Sequence, residues 1–142
     1  MNNSEIKRVV IENLHEGTDL YKGIARIAGE NKIGAGRVTG TGSVKRARMS
    51  TYDQKTMQHS SVEVLAPMEI VSLYGEVVLR EGEPIPRIHI VLADIDGNGK
   101  GGHLIPDTTP VLACEVRIEE YDDRPNSASD SRLFHHQPGQ KP

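Results

Sequence analysis

The sequence predicts an α+β domain built on a largely antiparallel sheet, and three observations point there. A single segment near the N-terminus repeats its apolar residues at helical spacing. Many short runs rich in Val, Ile and Thr follow it, and glycine or turn residues separate those runs at close intervals. Repeated βαβ units would need a helix between successive strands, and the later sequence has no second helical pattern. The 142 residues suit one domain at roughly 100–200 residues per domain.

Taken in order, Ile6 to Leu14 interleaves Val and Ile with polar residues, as a strand with one wet face does. His15-Glu16-Gly17 breaks that run. Thr18 is placed as the helix N-cap with Asp19 in the first turn; Leu20, Ile24, Ile27 and Ala28 then mark one face of a three-turn amphipathic helix that Gly29 and Asn31 end. Gly34, Gly36, Gly40 and Gly42 punctuate a Val/Thr-rich run. Val44 to Tyr52 reads as a strand carrying Lys45, Arg46 and Arg48, and Gln54 to Ser60 as a loop. Strands are expected at Val62–Leu65, Glu69–Leu73, Glu76–Arg80, Arg87–Ala93 and Val111–Tyr121. Gly75 is a bulge or kink between two of them, and Glu81-Gly82-Glu83-Pro84 is a turn. From Asp122 the chain turns polar, with Leu133 and Phe134 its only large apolar residues. The expected division is a domain over residues 1–121 and a disordered tail over 122–142 that includes His135 and His136.

Composition narrows the function. One Phe, four Tyr and no Trp make an aliphatic core and leave no platform on which nucleic-acid bases could stack. Seventeen basic residues against twenty acidic ones give a net charge of −3. The tail's Asp122, Asp123 and Asp130 balance Arg124, Arg132 and Lys141, so the acidic excess belongs to the folded part. That disfavours general binding to a polyanion. A single cysteine, Cys114, excludes an internal disulfide and is read as a buried structural thiol. No stretch has the length and apolarity of a signal peptide or membrane span, so the expectation is a cytoplasmic protein with no membrane partner.

Two motifs are decoys. Gly34-Ala35-Gly36-Arg37-Val38-Thr39-Gly40 approaches a dinucleotide fingerprint, but its third glycine falls one residue late and no helix follows. Asp94-Ile95-Asp96-Gly97-Asn98-Gly99 begins like a calcium loop, yet Ile105 stands where the closing Glu is needed. The better reading is a hairpin tip that uses Asp, Asn and Gly for their turn conformations.

That hairpin supplies the best chemical candidate. If it folds symmetrically about Asp96, His89 faces His103 with their Cβ atoms roughly 5 Å apart. His89 then lies with Arg87 and Val91 on the face opposite Ile88, Ile90 and Leu92. Two imidazoles so placed could share a divalent metal such as zinc, with Glu69, His59 or a neighbouring subunit as sources of a third ligand. The competing reading is a hydrogen-bonded, partly buried His89 and a turn at Gly101-Gly102-His103. Lys45, Arg46 and Arg48 form the one dense basic cluster, either a charged strand edge or a phosphate contact.

Together these segments resemble the PPC domain family (plants and prokaryotes conserved), which in plants is attached to AT-hook DNA-binding segments. The resemblance runs from about Val9 to Tyr121. It is carried by Glu16-Gly17-Thr18-Asp19-Leu20, Gly40-Thr41-Gly42-Ser43-Val44, Glu69-Ile70-Val71-Ser72-Leu73-Tyr74-Gly75, His89-Ile90-Val91-Leu92-Ala93-Asp94 and Gly101-Gly102-His103-Leu104. It implies a compact α/β domain with a curved, mostly antiparallel mixed sheet, assembled as a homotrimer. Two departures stand out. Arg87-Ile88-His89 replaces a His-Leu-His common in prokaryotic members, and an Arg beside two histidines suits an anionic ligand better than a cation. The chain also has no AT-hook Arg-Gly-Arg segment.

The function expected on this basis is a DNA-binding or regulatory homotrimeric module, with Lys45, Arg46 and Arg48 as the nucleic-acid contact. The alternative is a metal- or small-anion-binding protein, or an enzyme acting on an anionic substrate, whose site holds His89 and His103 as metal ligands and Arg87 and Glu69 as ligand contacts. A bare structural trimer acting as a scaffold is the third reading. No nucleophile and base are arranged so as to identify a reaction, so an enzyme is not the expectation.

Overall fold

The computed structural model of the protein describes residues 3–122. The tail expected at 122–142 lies outside the described residues except for Asp122. Strand β1 (Ile6–Leu14) leads to the helix α1 (Leu20–Glu30). Seven strands follow: β2 (Gly36–Val44), β3 (Ala47–Asp53), β4 (Gln58–Val64), β5 (Met68–Arg80), β6 (Glu83–Ala93), β7 (Gly99–Leu104) and β8 (Val111–Tyr121). They form one open sheet in the order β1-β8-β2-β5-β6-β7-β3-β4, and every pairing among the described residues is antiparallel, so the sheet is not mixed.

The helix forms where its apolar spacing placed it, burying Leu20, Ile24, Ile27 and Ala28, chiefly against β6. Its cap is Asp19 rather than Thr18. The Asp19 carboxylate accepts from the backbone N–H of Lys22 at 3.0 Å and, from outside the helix, from Thr109 at 3.1 Å and Asp107 at 3.2 Å. One side chain thus ends the strand-to-helix loop and ties it to the approach to β8. At the far end the Asn31 and Ile33 amides bond back to the Ile27 and Ala28 carbonyls, and Lys32 takes the left-handed conformation at φ 54°.

One sheet face is the core. Leu73 lies opposite Ile90 and Ile70 opposite Leu92, and these residues join Ile88, Val38, Val77, Val116 and Ile118 in the core cluster with the buried face of α1. Each fully buried Ile or Leu contributes roughly 1.5–3 kcal/mol of transfer free energy.

Several expected boundaries move. β2 ends at Val44 and β3 begins at Ala47, so Lys45 and Arg46 lie in the connecting turn and not on a strand. The segment expected as a loop from Gln54 to Ser60 is a four-residue turn followed by the start of β4: cross-strand pairing from Gln58 overrides its polar composition. Glu69–Leu73 and Glu76–Arg80 are one strand, β5. Gly75 does not break it; a Cβ there would sit 2.0 Å from the Arg87 carbonyl oxygen, so glycine serves close approach of β6, and the register slip falls instead between Ile70 and Ser72. The β5–β6 turn is only Glu81-Gly82, both at positive φ, with Glu83 and Pro84 already in β6. The Asp94 hairpin tip is as expected: its side chain accepts from the Asp96 and Asn98 amides, each at 2.9 Å.

Candidate functional site

The face of the sheet opposite the core carries the candidate site, and strand register alone composes it. Reading across one row, Arg117 lies opposite Thr39, Thr39 opposite Tyr74, Tyr74 opposite His89, His89 opposite His103, and His103 opposite Ser50. The symmetric hairpin therefore brings His89 and His103 together. Their ring centroids are 4.2 Å apart at an interplanar angle of 48°. Gly101, Gly102 and His103 are strand residues of β7 and not a turn. Gly102 matters here because a Cβ would come within 2.5 Å of the Ser50 carbonyl oxygen, so only glycine lets β3 close against His103.

Both imidazoles are neutral near pH 7. Burial lowers the pKa of His89, partly opposed by a hydrogen bond to the Tyr74 backbone. Burial, then His89, then His59 pushes His103 down to about 4. The Nδ1 atom of His103 is buried and has no hydrogen-bond partner. A neutral imidazole with an unused ring nitrogen is the form that ligates metals.

The other expected residues scatter. His59 is on β4, exposed, opposite Tyr52 with ring centroids 5.0 Å apart; it is near enough to act on the charge of His103. Glu69 sits near the start of β5 opposite Ala93 and Ser43, where it lines a separate shallow cavity of about 280 Å³ with Met68 and Asp94. Among the described residues, no group of three or more His, Cys, Asp or Glu is placed to hold a metal ion. Arg87 is 3% exposed, although alternation puts it on the outer face. Burial and the neighbouring Arg80 lower its pKa, while Glu76, directly across the ladder, and Tyr21 of α1 favour its charge.

The basic cluster is partly neutralised. Lys45 pairs with Glu16 at 3.1 Å and Arg48 with Glu63 at 3.2 Å, while Arg46 is exposed in the turn. Cys114 is buried and its thiol is pushed up to about 11 by burial, which fits a structural role.

Sequence reading missed Tyr74 and Arg37. The Arg37 guanidinium lies 5.2 Å from the Tyr74 ring centroid and donates to the Tyr121 hydroxyl at 3.1 Å. The signal was available: Tyr74 is an even step from polar Ser72 and Glu76, on the side of the strand opposite Leu73.

Comparison with known proteins now adds to this geometry. The sequence model of the Plants and Prokaryotes Conserved (PCC) domain matches residues 1–122. A metal-containing protein of Archaeoglobus fulgidus is 31% identical with a TM-score of 0.78, covering 86% of this chain and 85% of that one. A plant- and prokaryote-conserved protein of Pyrococcus horikoshii is 22% identical with a TM-score of 0.79, covering 87% and 85%. A Bacteroides thetaiotaomicron protein described as a proposed DNA-binding protein is 22% identical with a TM-score of 0.75, covering 87% of each chain. Among curated proteins, none matches. No helix of the described residues is long and apolar enough to cross a membrane.

Proposed function

The chain belongs to the Plants and Prokaryotes Conserved (PCC) domain family, and from that membership we propose that it is a homotrimeric binding domain whose working site is the His89–His103 pair, with a divalent metal such as zinc as its resident ion. The observation that carries this reading is the buried, unpartnered Nδ1 of His103 in a ring 4.2 Å from His89. Both imidazoles are held neutral by burial, as metal ligation requires. The 31% identical Archaeoglobus fulgidus protein is described as metal-containing, which supports the same reading. Zinc commonly takes four ligands, so two imidazoles leave positions for water, a small anion or groups from another chain. Elemental analysis of untagged protein tests it: about one metal per chain, lost in His89→Ala and His103→Ala, is expected, and stoichiometric absence of metal overturns it.

A DNA-binding module is the second reading, favoured by the description of the Bacteroides thetaiotaomicron relative and by the exposed Arg46. It is the weaker one, because Lys45 and Arg48 are already paired with carboxylates and the chain is acidic overall. Fluorescence anisotropy with duplex DNA decides. A steep negative salt slope that shrinks in Arg46→Ala supports it, and no change in anisotropy at low salt removes it.

A further inference from the structure

We infer that the chain's own C-terminal segment returns to the outer sheet face, where Phe134 seats against Val91 and Tyr74 and His136 becomes the third donor beside His89 and His103. The seating of Phe134 stands on its own; the donation by His136 rests on the metal reading above.

Three observations carry it. The first is an open apolar seat next to the imidazoles. Val91 is two residues from His89 on β6, so it shares that face, and it is 40% exposed. Its cross-strand neighbours are Ser72 and Gly101, so no large side chain stands beside it. The next row on the same face is Tyr74, His89 and His103, with Tyr74 43% exposed, and that row walls the seat on one side. Second, the imidazole pair is a partial donor set. No third metal-ligating group joins it among the described residues, while the Nδ1 atom of His103 is buried without a partner and zinc commonly takes four ligands. Third, residues 123–142, outside the described residues, contain Leu133-Phe134-His135-His136. Along an extended chain, side chains two residues apart share a side about 6.8 Å from each other. Val91 and His89 have the same separation in sequence, so Phe134 placed on Val91 sets His136 over the imidazoles and turns His135 away.

The reach matches. The described fold ends at Asp122, whose amide donates to the Glu5 carbonyl at 2.8 Å. By register His89 is three strands from Arg117, which is four residues before Tyr121. At about 4.8 Å per strand and about 3.4 Å per residue, the span is roughly 20 Å. The fourteen residues from Asp122 to His136, taken as coil, have a root-mean-square length of roughly 20 Å. A connection whose length matches its span gives the highest effective concentration.

The full chain tests both parts. Trypsin cuts after Arg132, next to the seated residues, and mass spectrometry reads the rate. With zinc present, cleavage there should be at least tenfold slower in the parent than in Val91→Gln, while Ile95→Gln, at the 99% exposed hairpin tip, is cut like the parent. Phe134→Ala, which alters no residue of the folded domain, should be cut as fast as Val91→Gln and decides the matter if Val91→Gln loses its folded circular dichroism. A parent cut as fast as Phe134→Ala overturns the seating. Zinc competition against a chromophoric chelator reads the donation: His136→Ala should bind at least tenfold more weakly, and His135→Ala like the parent. His136→Ala that binds as tightly as the parent overturns the donation and leaves the two-histidine site standing. A parent that protects Arg132 but takes up no zinc supports the seating and overturns the metal reading, and the donation with it.

Discussion

The β6–β7 seam and the β2–β3 turn were both marked by side-chain chemistry in the sequence, and the fold treated them oppositely. At the seam, two histidines fourteen positions apart are brought ring against ring because the hairpin between them is symmetric. At the turn, three basic residues within four positions are separated into a loop and a strand, and two of them meet carboxylates, Glu16 and Glu63. Strand register is a rigid rule that carries distant residues to a fixed place. A run of like charge is only a local density, and its field depends on which acids the fold brings back to it.

The largest effect expected from breaking this contrast is on metal content. The double substitution His89→Ala and His103→Ala should reduce bound metal at least tenfold in elemental analysis, whereas Lys45, Arg46 and Arg48 changed together to Ala should leave it unaltered. Next comes the backbone contact that shapes the seam. Gly102→Val places a Cβ where the Ser50 carbonyl oxygen lies at 2.5 Å, so β3 must move away from β7. Chemical denaturation should register a loss of about 1–3 kcal/mol, and hydrogen exchange should rise at Met49 and Ser50.

A smaller effect separates the regions by pH. The folded pKa of His103, about 4, lies below the unfolded value of about 6.5. The unfolded chain therefore takes up the proton first, and stability that is complete above pH 6.5 is lost progressively as pH falls toward 4. For metal-free protein the loss should be about 1–2 kcal/mol, discounted from the full shift because solvent reaches part of the ring. Thermal melts should show this slope and show it flattened in His103→Ala. The smallest change is expected at the turn: Lys45→Ala or Arg48→Ala removes one exposed ion pair and should alter stability by less than about 1 kcal/mol.

The fold was largely legible where one pattern dominated locally. β1, β8 and the buried stripe of α1 match their expected positions because alternation or helical spacing in those segments has no competitor. The failures share a cause. Thr18 and Asp19 are both good caps, and Asp19 prevails because Asp107 and Thr109, distant in sequence, also donate to it. Gly75 was read as a break, but its glycine is demanded by a carbonyl on another strand. Within the site, the His89–His103 contact followed from hairpin symmetry. The distance of Glu69 and the company of Arg87, with Glu76, Arg80 and Tyr21, could not be read before β5, β6 and α1 were assembled.

By itself the sequence determined the one-helix, many-stranded class, the apolar face of the helix, the family resemblance and the pairing of two histidines across a hairpin symmetric about Asp96. Each of these depends on interactions between residues close along the chain or on a pattern that repeats along it. Only the tertiary structure decided the strand order, the neutralisation of the basic cluster, the burial of Arg87 and the orphaned Nδ1 of His103. Those depend on which remote segments meet, and charge and solvation at a point in a protein are set by everything that surrounds it in space.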